Sequence, residues 1–113
     1  MSSKGSAAED IAAAFLASRG LKLLERNYRC RFGEIDLILR DGATLVFVEV
    51  RYRGNEAFGG AAESITASKR GKLLKAARHY MGAHGQIPAC RFDAVLLSGS
   101  TPDIDWVVNA FGE

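Results

Sequence analysis

Gly33-Glu34-Ile35-Asp36-Leu37-Ile38-Leu39-Arg40-Asp41-Gly42-Ala43-Thr44-Leu45-Val46-Phe47-Val48-Glu49-Val50-Arg51 is the stretch that decides the fold. From Glu34 to Arg40 polar and apolar residues alternate, Asp41-Gly42 is a hairpin signal, and Thr44 to Arg51 is rich in β-branched and aromatic side chains. Two antiparallel strands joined by a tight turn follow. In a strand, residues two apart share a face, so Glu34 and Asp36 are expected on one side and Ile35 and Leu37 on the other. In the second strand Glu49 and Arg51 continue the face of Leu45 and Phe47, while Val46, Val48 and Val50 make the opposite face apolar as well. Such a strand is expected to be buried on both sides. A carboxylate and a guanidinium at its end then cost several kcal/mol unless a partner or a metal compensates.

Outward from the hairpin, Ala8, Ile11, Ala12, Phe15 and Leu16 follow helical spacing, which predicts an amphipathic helix over residues 6–19 closed by Gly20. Leu21 to Arg29 reads as extended. Residues 52–63 carry three glycines and little periodicity, and are expected to form a mobile loop. Thr66 or Ser68 can cap a second helix to about Ala83, with Leu73, Leu74, Ala77, Tyr80 and Met81 inward and Lys72 and Lys75 outward. Arg91 to Leu97 and Ile104 to Ala110 read as strands, with a turn over Gly99 to Pro102. The order α-β-β-β-α-β-β implies an α/β domain, a mixed sheet covered by helices.

The 113 residues suit one domain spanning 1–113, with an ordered core over 6–111. With 48% hydrophobic residues the chain can build a core without staples. Its longest apolar run, Ile11 to Ala17, is far short of the roughly 18 residues that cross a bilayer, and Glu9 and Asp10 precede it where a secretory leader would be apolar. A cytoplasmic protein without membrane contact is expected. Cys30 and Cys90 have neither CxxC nor Cys/His spacing, so free thiols are expected.

A formal charge of +2 does not by itself imply a polyanionic partner. Its distribution says more: Ser64 to Phe92 holds Lys69, Arg70, Lys72, Lys75, Arg78 and Arg91 with no acid, leaving 9 basic against 13 acidic side chains elsewhere, so the chain is electrically polarised. Lys69, Arg70, Lys72 and Lys75 open the second helix, while Arg26, Arg29 and Arg31 precede the acidic strand and Arg53 follows Arg51. These are the candidate phosphate contacts, and a solvated helix face is the competing reading of the lysines. No recognition helix or aromatic stacking platform appears, which points to sequence-independent binding of DNA.

The hairpin sets Asp36 and Glu49 side by side, within reach of a single ion. Mg²⁺ or Mn²⁺ is held by one or two carboxylates plus phosphate oxygens and water, and Glu9, flanking the apolar stripe of the first helix, can add a third carboxylate. The competing readings are a solvated hairpin face, an internal Glu49–Arg51 ion pair and a Glu9 that favours the helix dipole. His79 and His84, five apart, do not share a helix face for a metal.

Ala8-Glu9, Ala12-Ala13, Leu16, Gly20, Arg26-Asn27-Tyr28-Arg29, Gly33 to Ile38, Val46 to Arg51, Lys69 and Arg91-Phe92-Asp93 together resemble the uncharacterised bacterial YraN-like proteins over nearly the whole chain. That family looks like a branch of the PD-(D/E)xK nuclease superfamily, closest to archaeal Holliday-junction resolvases. The resemblance implies a restriction-endonuclease-like mixed central sheet flanked by helices, and a homodimer. It implies catalytic residues Glu9, Asp36, Glu49 and position 51, with Asp36, Glu49 and Glu9 as ligands of Mg²⁺ or Mn²⁺. One departure falls on a catalytic position: lysine is usual where this chain has Arg51, and an arginine stays charged and cannot act as a base. Three functions stay open: a divalent-metal-dependent endonuclease acting on branched or single-stranded DNA, a non-catalytic DNA- or partner-binding module retaining the fold, and a small adaptor whose polar strand residues are only structural.

Overall fold

A computed structural model describes residues 4–53, 67–83, 89–99 and 103–111. Helix α1 (Lys4–Ser18) is followed by strands β1 (Lys22–Cys30), β2 (Gly33–Asp41) and β3 (Thr44–Arg53), helix α2 (Ala67–Ala83), and strands β4 (Cys90–Ser98) and β5 (Asp103–Phe111). This is the mixed α/β arrangement and element order expected from the sequence. The strands lie in chain order across one five-stranded sheet. β1, β2 and β3 are antiparallel neighbours, β4 and β5 likewise, and β3 and β4 run parallel because α2 carries the chain back between them.

The inner strands β2, β3 and β4 are buried on both faces, as the double-sided pattern of β3 requires. On one face Ala8, Ala12 and Leu16 of α1 pack on Leu37, Leu39, Val46, Val48, Val95 and Leu97. On the other, Leu73, Ala76, Ala77, Tyr80 and Met81 of α2 cover Ile35, Ile38, Phe47 and Phe92. Each fully buried aliphatic side chain here contributes roughly 1.5–3 kcal/mol. No helix among the described residues is long and apolar enough to cross a membrane.

Helix α1 stops because Gly20 takes φ 93°, where a side chain would be strained. The N–H of Gly20 donates to Ala17 O at 3.0 Å and that of Leu21 to Leu16 O at 3.2 Å, a Schellman closure, while the Leu16 and Leu21 side chains join the same core.

Several expectations shift. The Asp41-Gly42 hairpin is displaced by one residue: Asp41 pairs with Thr44, so Gly42 and Ala43 form the turn, with Gly42 at φ 62° supplying the left-handed conformation. Tyr52 and Arg53, placed in the loop by their neighbours' glycines, extend β3 along β4; the rest of the expected loop lies outside the described residues. Ser68 stands inside α2 instead of capping it, and Thr66 and His84 lie outside the described residues.

The strict alternation expected of β2 fails at Asp36. Ile35 belongs to the α2-side core and Leu37 to the α1-side core, although they are two residues apart. The cause lies on the neighbouring strand. Arg26 pairs with Leu37 and Tyr28 with Ile35, which sets Asn27 opposite Asp36, and Asn27 adopts φ 54°. A left-handed residue, which asparagine tolerates better than most, turns the backbone so that both strands change face together. Arg26 reaches α1 while Tyr28 packs on α2.

Candidate functional site

The face change at Asp36 opens a gap between β2 and β3. Their pairing ends at Leu37 and Val48, and beyond it the Val50 N–H donates to Asp36 Oδ2 at 2.8 Å instead of to a strand carbonyl. The acid of β2 is thereby fixed beside the end of β3 that carries Glu49 and Arg51. A cavity of about 190 Å³ opens there, lined by Ala8, Glu9, Asp36, Glu49, Val50, Arg51, Tyr52 and Lys69. All four residues expected at the catalytic positions thus share one cavity, to which α1, β2, β3 and α2 each contribute.

The carboxylates are unusually dry. Glu49 is 3% exposed and Glu9 9%. Burial first, then the neighbouring Glu49 carboxylate and to a lesser degree Glu9, push Asp36 up to about 7, against the opposing pull of the Val50 N–H and the Lys69 ammonium. Glu49 is compensated by two cations on the same oxygen: Lys69 Nζ lies 2.9 Å and Arg51 Nε 3.1 Å from Oε2. The internal Glu49–Arg51 pair weighed from sequence is therefore present, joined by a lysine from the other side. Arg51 Nε nevertheless makes no hydrogen bond of proper geometry among the described residues. Glu9 Oε1 is likewise buried without a hydrogen bond, 3.7 Å from Arg26 Nη2, while Arg26 Nη1 holds Asp10 at 2.7 Å. Glu9 therefore does more than face the helix dipole.

The donor set suits a hard divalent cation. Three carboxylates share one small cavity, one holds its proton near neutrality, and one has a buried oxygen that no donor among the described residues satisfies. They are not pre-gathered: no three His, Cys, Asp or Glu side chains among the described residues stand close enough to form a ready metal cage. One or two protein carboxylates completed by water and phosphate oxygens is the arrangement magnesium commonly takes.

A groove of about 340 Å³ adjoins this cavity through Lys69, which lines both; Gly33, Glu34, Ser68, Lys72 and Leu73 complete it. The β1–β2 turn, Arg31-Phe32, lies along α2: Lys72 stands beside Gly33 at one end, and His79 meets the Phe32 ring at 5.9 Å at the other. His79 Nδ1 also lies 2.6 Å from the Tyr28 hydroxyl. The sequence-predicted basic residues divide accordingly. Lys69 and Lys72 line the groove, with Lys75 exposed one turn further on. Arg70 is exposed on the same helix, Arg31 stacks over Phe32 at 4.9 Å, and Arg29 forms an exposed pair with Glu34 at 3.5 Å. Arg26 is engaged with the acids of α1. The Arg53 side chain lies outside the described residues.

From its sequence context Lys69 reads only as a phosphate contact, and its seat on Glu49 emerges in the folded chain. The signal available was topological: a helix following a strand in a β-α-β unit begins near that strand's carboxyl end, where sites of α/β proteins gather. Asp93 likewise carries no role that its sequence context declares. That carboxylate is fully buried and fully bonded, by Arg91 Nε, by Trp106 Nε1 at 2.9 Å and by the Asn109 N–H at 2.9 Å, which makes it a structural tie between β4 and β5.

Fold and site together define a small α/β domain in which three carboxylates and two cations line one cavity at the end of the central strand. The chain belongs to the uncharacterised protein family UPF0102, whose model matches residues 8–97, a span that holds Glu9, Asp36, Glu49, Arg51 and Lys69. This is the YraN-like family expected from the sequence. The chain is 61% identical to a UPF0102 protein of Nitrosomonas europaea, over 97% of this chain and 94% of the relative. It is 62% identical to one of Nitrosospira multiformis, over 96% and 92%, and 53% identical to one of Aeromonas hydrophila, over 96% and 85%.

Proposed function

We propose that this protein is a nucleic-acid-binding domain of the PD-(D/E)xK nuclease type, in which the acidic cavity holds Mg²⁺ or Mn²⁺ against a DNA phosphodiester and supports its hydrolysis. The observation that carries the proposal is the meeting of Glu9, Asp36 and Glu49 in one cavity, beside a groove lined by Lys69 and Lys72. Asp36 and Glu49 would hold the cation, with Glu9 as a further carboxylate beside it. When bound, the ion lowers the pKa of its water and polarises the phosphate. The chain's own residues supply the rest. Lys72, Lys75, Arg70 and Arg31 grip backbone phosphates without reading bases. Arg51, a permanent cation, offsets charge developing on the phosphate but takes no proton from water.

Branched or single-stranded DNA is the proposed substrate. The deciding experiment incubates the purified protein with junction, fork, flap and single-stranded DNA in Mg²⁺ or Mn²⁺. Cleavage that Asp36→Asn and Glu49→Gln abolish is the expected result. Absence of cleavage in the natural chain, with salt-dependent DNA binding retained, would favour a second reading, a DNA-binding module that has lost catalysis; Arg51 is the observation behind it. Cleavage gained by Arg51→Lys would then trace the loss to that position.

A further inference from the structure

Lys69 and Arg51 meet the same oxygen of Glu49, yet they are not equivalent. Arg51 sits two residues along the same strand, its side chain is 31% exposed, and its Nε lacks hydrogen-bond geometry to its neighbour. Its position is set by the backbone of β3. Lys69 arrives from α2, is 41% exposed, and borders both the acidic cavity and the groove it shares with Ser68 and Lys72. Both side chains have flexible stems, but only the Lys69 ammonium, a compact charge with rotatable donors, borders the groove as well as the cavity and so has a second place to go. A divalent ion on Glu49 would compete with both cations, and at separations of a few Å like charges repel strongly in a partly dry site.

We infer that Lys69 is a transferable cation: it neutralises Glu49 in the metal-free protein and passes to a phosphate oxygen of bound DNA when a divalent ion takes Glu49. The inference rests on the function proposed above and makes Lys69 a positioning residue whose two partners lie on either side of it. Its consequence is thermodynamic coupling. Metal frees the ammonium for the phosphate, and the phosphate draws the ammonium away from the metal's ligand, so each ligand strengthens the other by the same factor.

The test measures Mn²⁺ affinity by titration calorimetry, with and without a phosphorothioate-substituted four-way junction that resists hydrolysis, for the natural chain, Lys69→Ala, Lys69→Gln, Lys72→Ala and Glu49→Gln. The natural chain should bind Mn²⁺ about tenfold more tightly with DNA present. Both Lys69 variants should bind Mn²⁺ several-fold more tightly than the natural chain without DNA, and their coupling should shrink several-fold, to the part that phosphate oxygens on the ion supply by themselves. Lys72→Ala should weaken DNA binding equally with and without Mn²⁺. If Glu49→Gln abolishes Mn²⁺ binding while the Lys69 variants keep natural affinity and coupling, Lys69 does not transfer and the metal-site reading stands. If Mn²⁺ binds the natural chain no better than Glu49→Gln, the metal-site reading fails and the inference falls with it.

Discussion

The Val50 N–H donates to the Asp36 carboxylate across 2.8 Å, so the acid of β2 is tied to the backbone of the strand that carries Glu49 and Arg51. The tie holds Asp36 in a place that disfavours its charge. Its folded pKa, about 7 against an ordinary 3.8, means that the native state binds more protons than the unfolded chain across that interval. Stability from this group is therefore highest near pH 4, falls as pH rises to about 7, and is level above it. Urea midpoints at pH 5, 6, 7 and 8 for the natural chain and Asp36→Asn should diverge in the variant's favour with rising pH. A difference that stays flat over the window would refute the shift.

The same misfit should make the protein a thermometer for metal. Mn²⁺ at a hundred times its dissociation constant stabilises by about 2.7 kcal/mol, a gain of several degrees in Tm for a domain this size. Asp36→Ala and Glu49→Ala should each erase that gain, and lowering the pH from 8 to 6 should shrink it, because Asp36 must lose its proton to ligate. An equal gain in the natural chain and both variants would place Mn²⁺ elsewhere.

Asp93 is a different kind of buried acid. Arg91, Trp106 and the Asn109 N–H all converge on it, and Arg91 Nη1 also reaches Asp41 at 3.1 Å. Asp93→Ala leaves Arg91 Nε, Trp106 Nε1 and the Asn109 N–H without their acceptor and should cost ~3–5 kcal/mol in denaturant unfolding, with a changed Trp106 emission. A loss below ~1 kcal/mol would show that the network relaxes onto water.

At Asn27 the backbone asks for φ 54°. Asn27→Ala should destabilise by ~1–2 kcal/mol, while Asn27→Gly stays near the natural stability, since glycine carries no Cβ penalty. Because Asn27 stands opposite Asp36, the alanine variant should also weaken Mn²⁺ binding. Equal stability of the two variants would remove the left-handed turn as the cause of the face change.

Much of the fold was legible because local signals and burial agreed. Val46, Val48 and Val50 against Leu45 and Phe47 announced a strand covered on both sides, and Ala8, Ala12 and Leu16 a helix to cover one of them. Asp36 and Glu49 could be paired from the hairpin alone. What stayed hidden depended on long-range geometry or on single dihedrals. Nothing in Arg26-Asn27-Tyr28 declares that Asn27 is left-handed, so the reversal that separates Ile35 from Leu37 could not be read from alternation. Lys69 was legible as a charge but not as a partner of Glu49, twenty positions earlier, because the placement of α2 against β3 sets that distance.

The two outer strands share a property with a consequence beyond the site. β1 slips register at Leu24 and turns at Asn27; β5 slips between the partners of Phe92 and Ala94, where Asn109 takes φ 57°. Both margins of the sheet are therefore uneven along their length. A strand from another molecule would find no straight row of amides to align with, which protects a domain with exposed Leu23, Leu24 and Val108 from polymerising edge to edge.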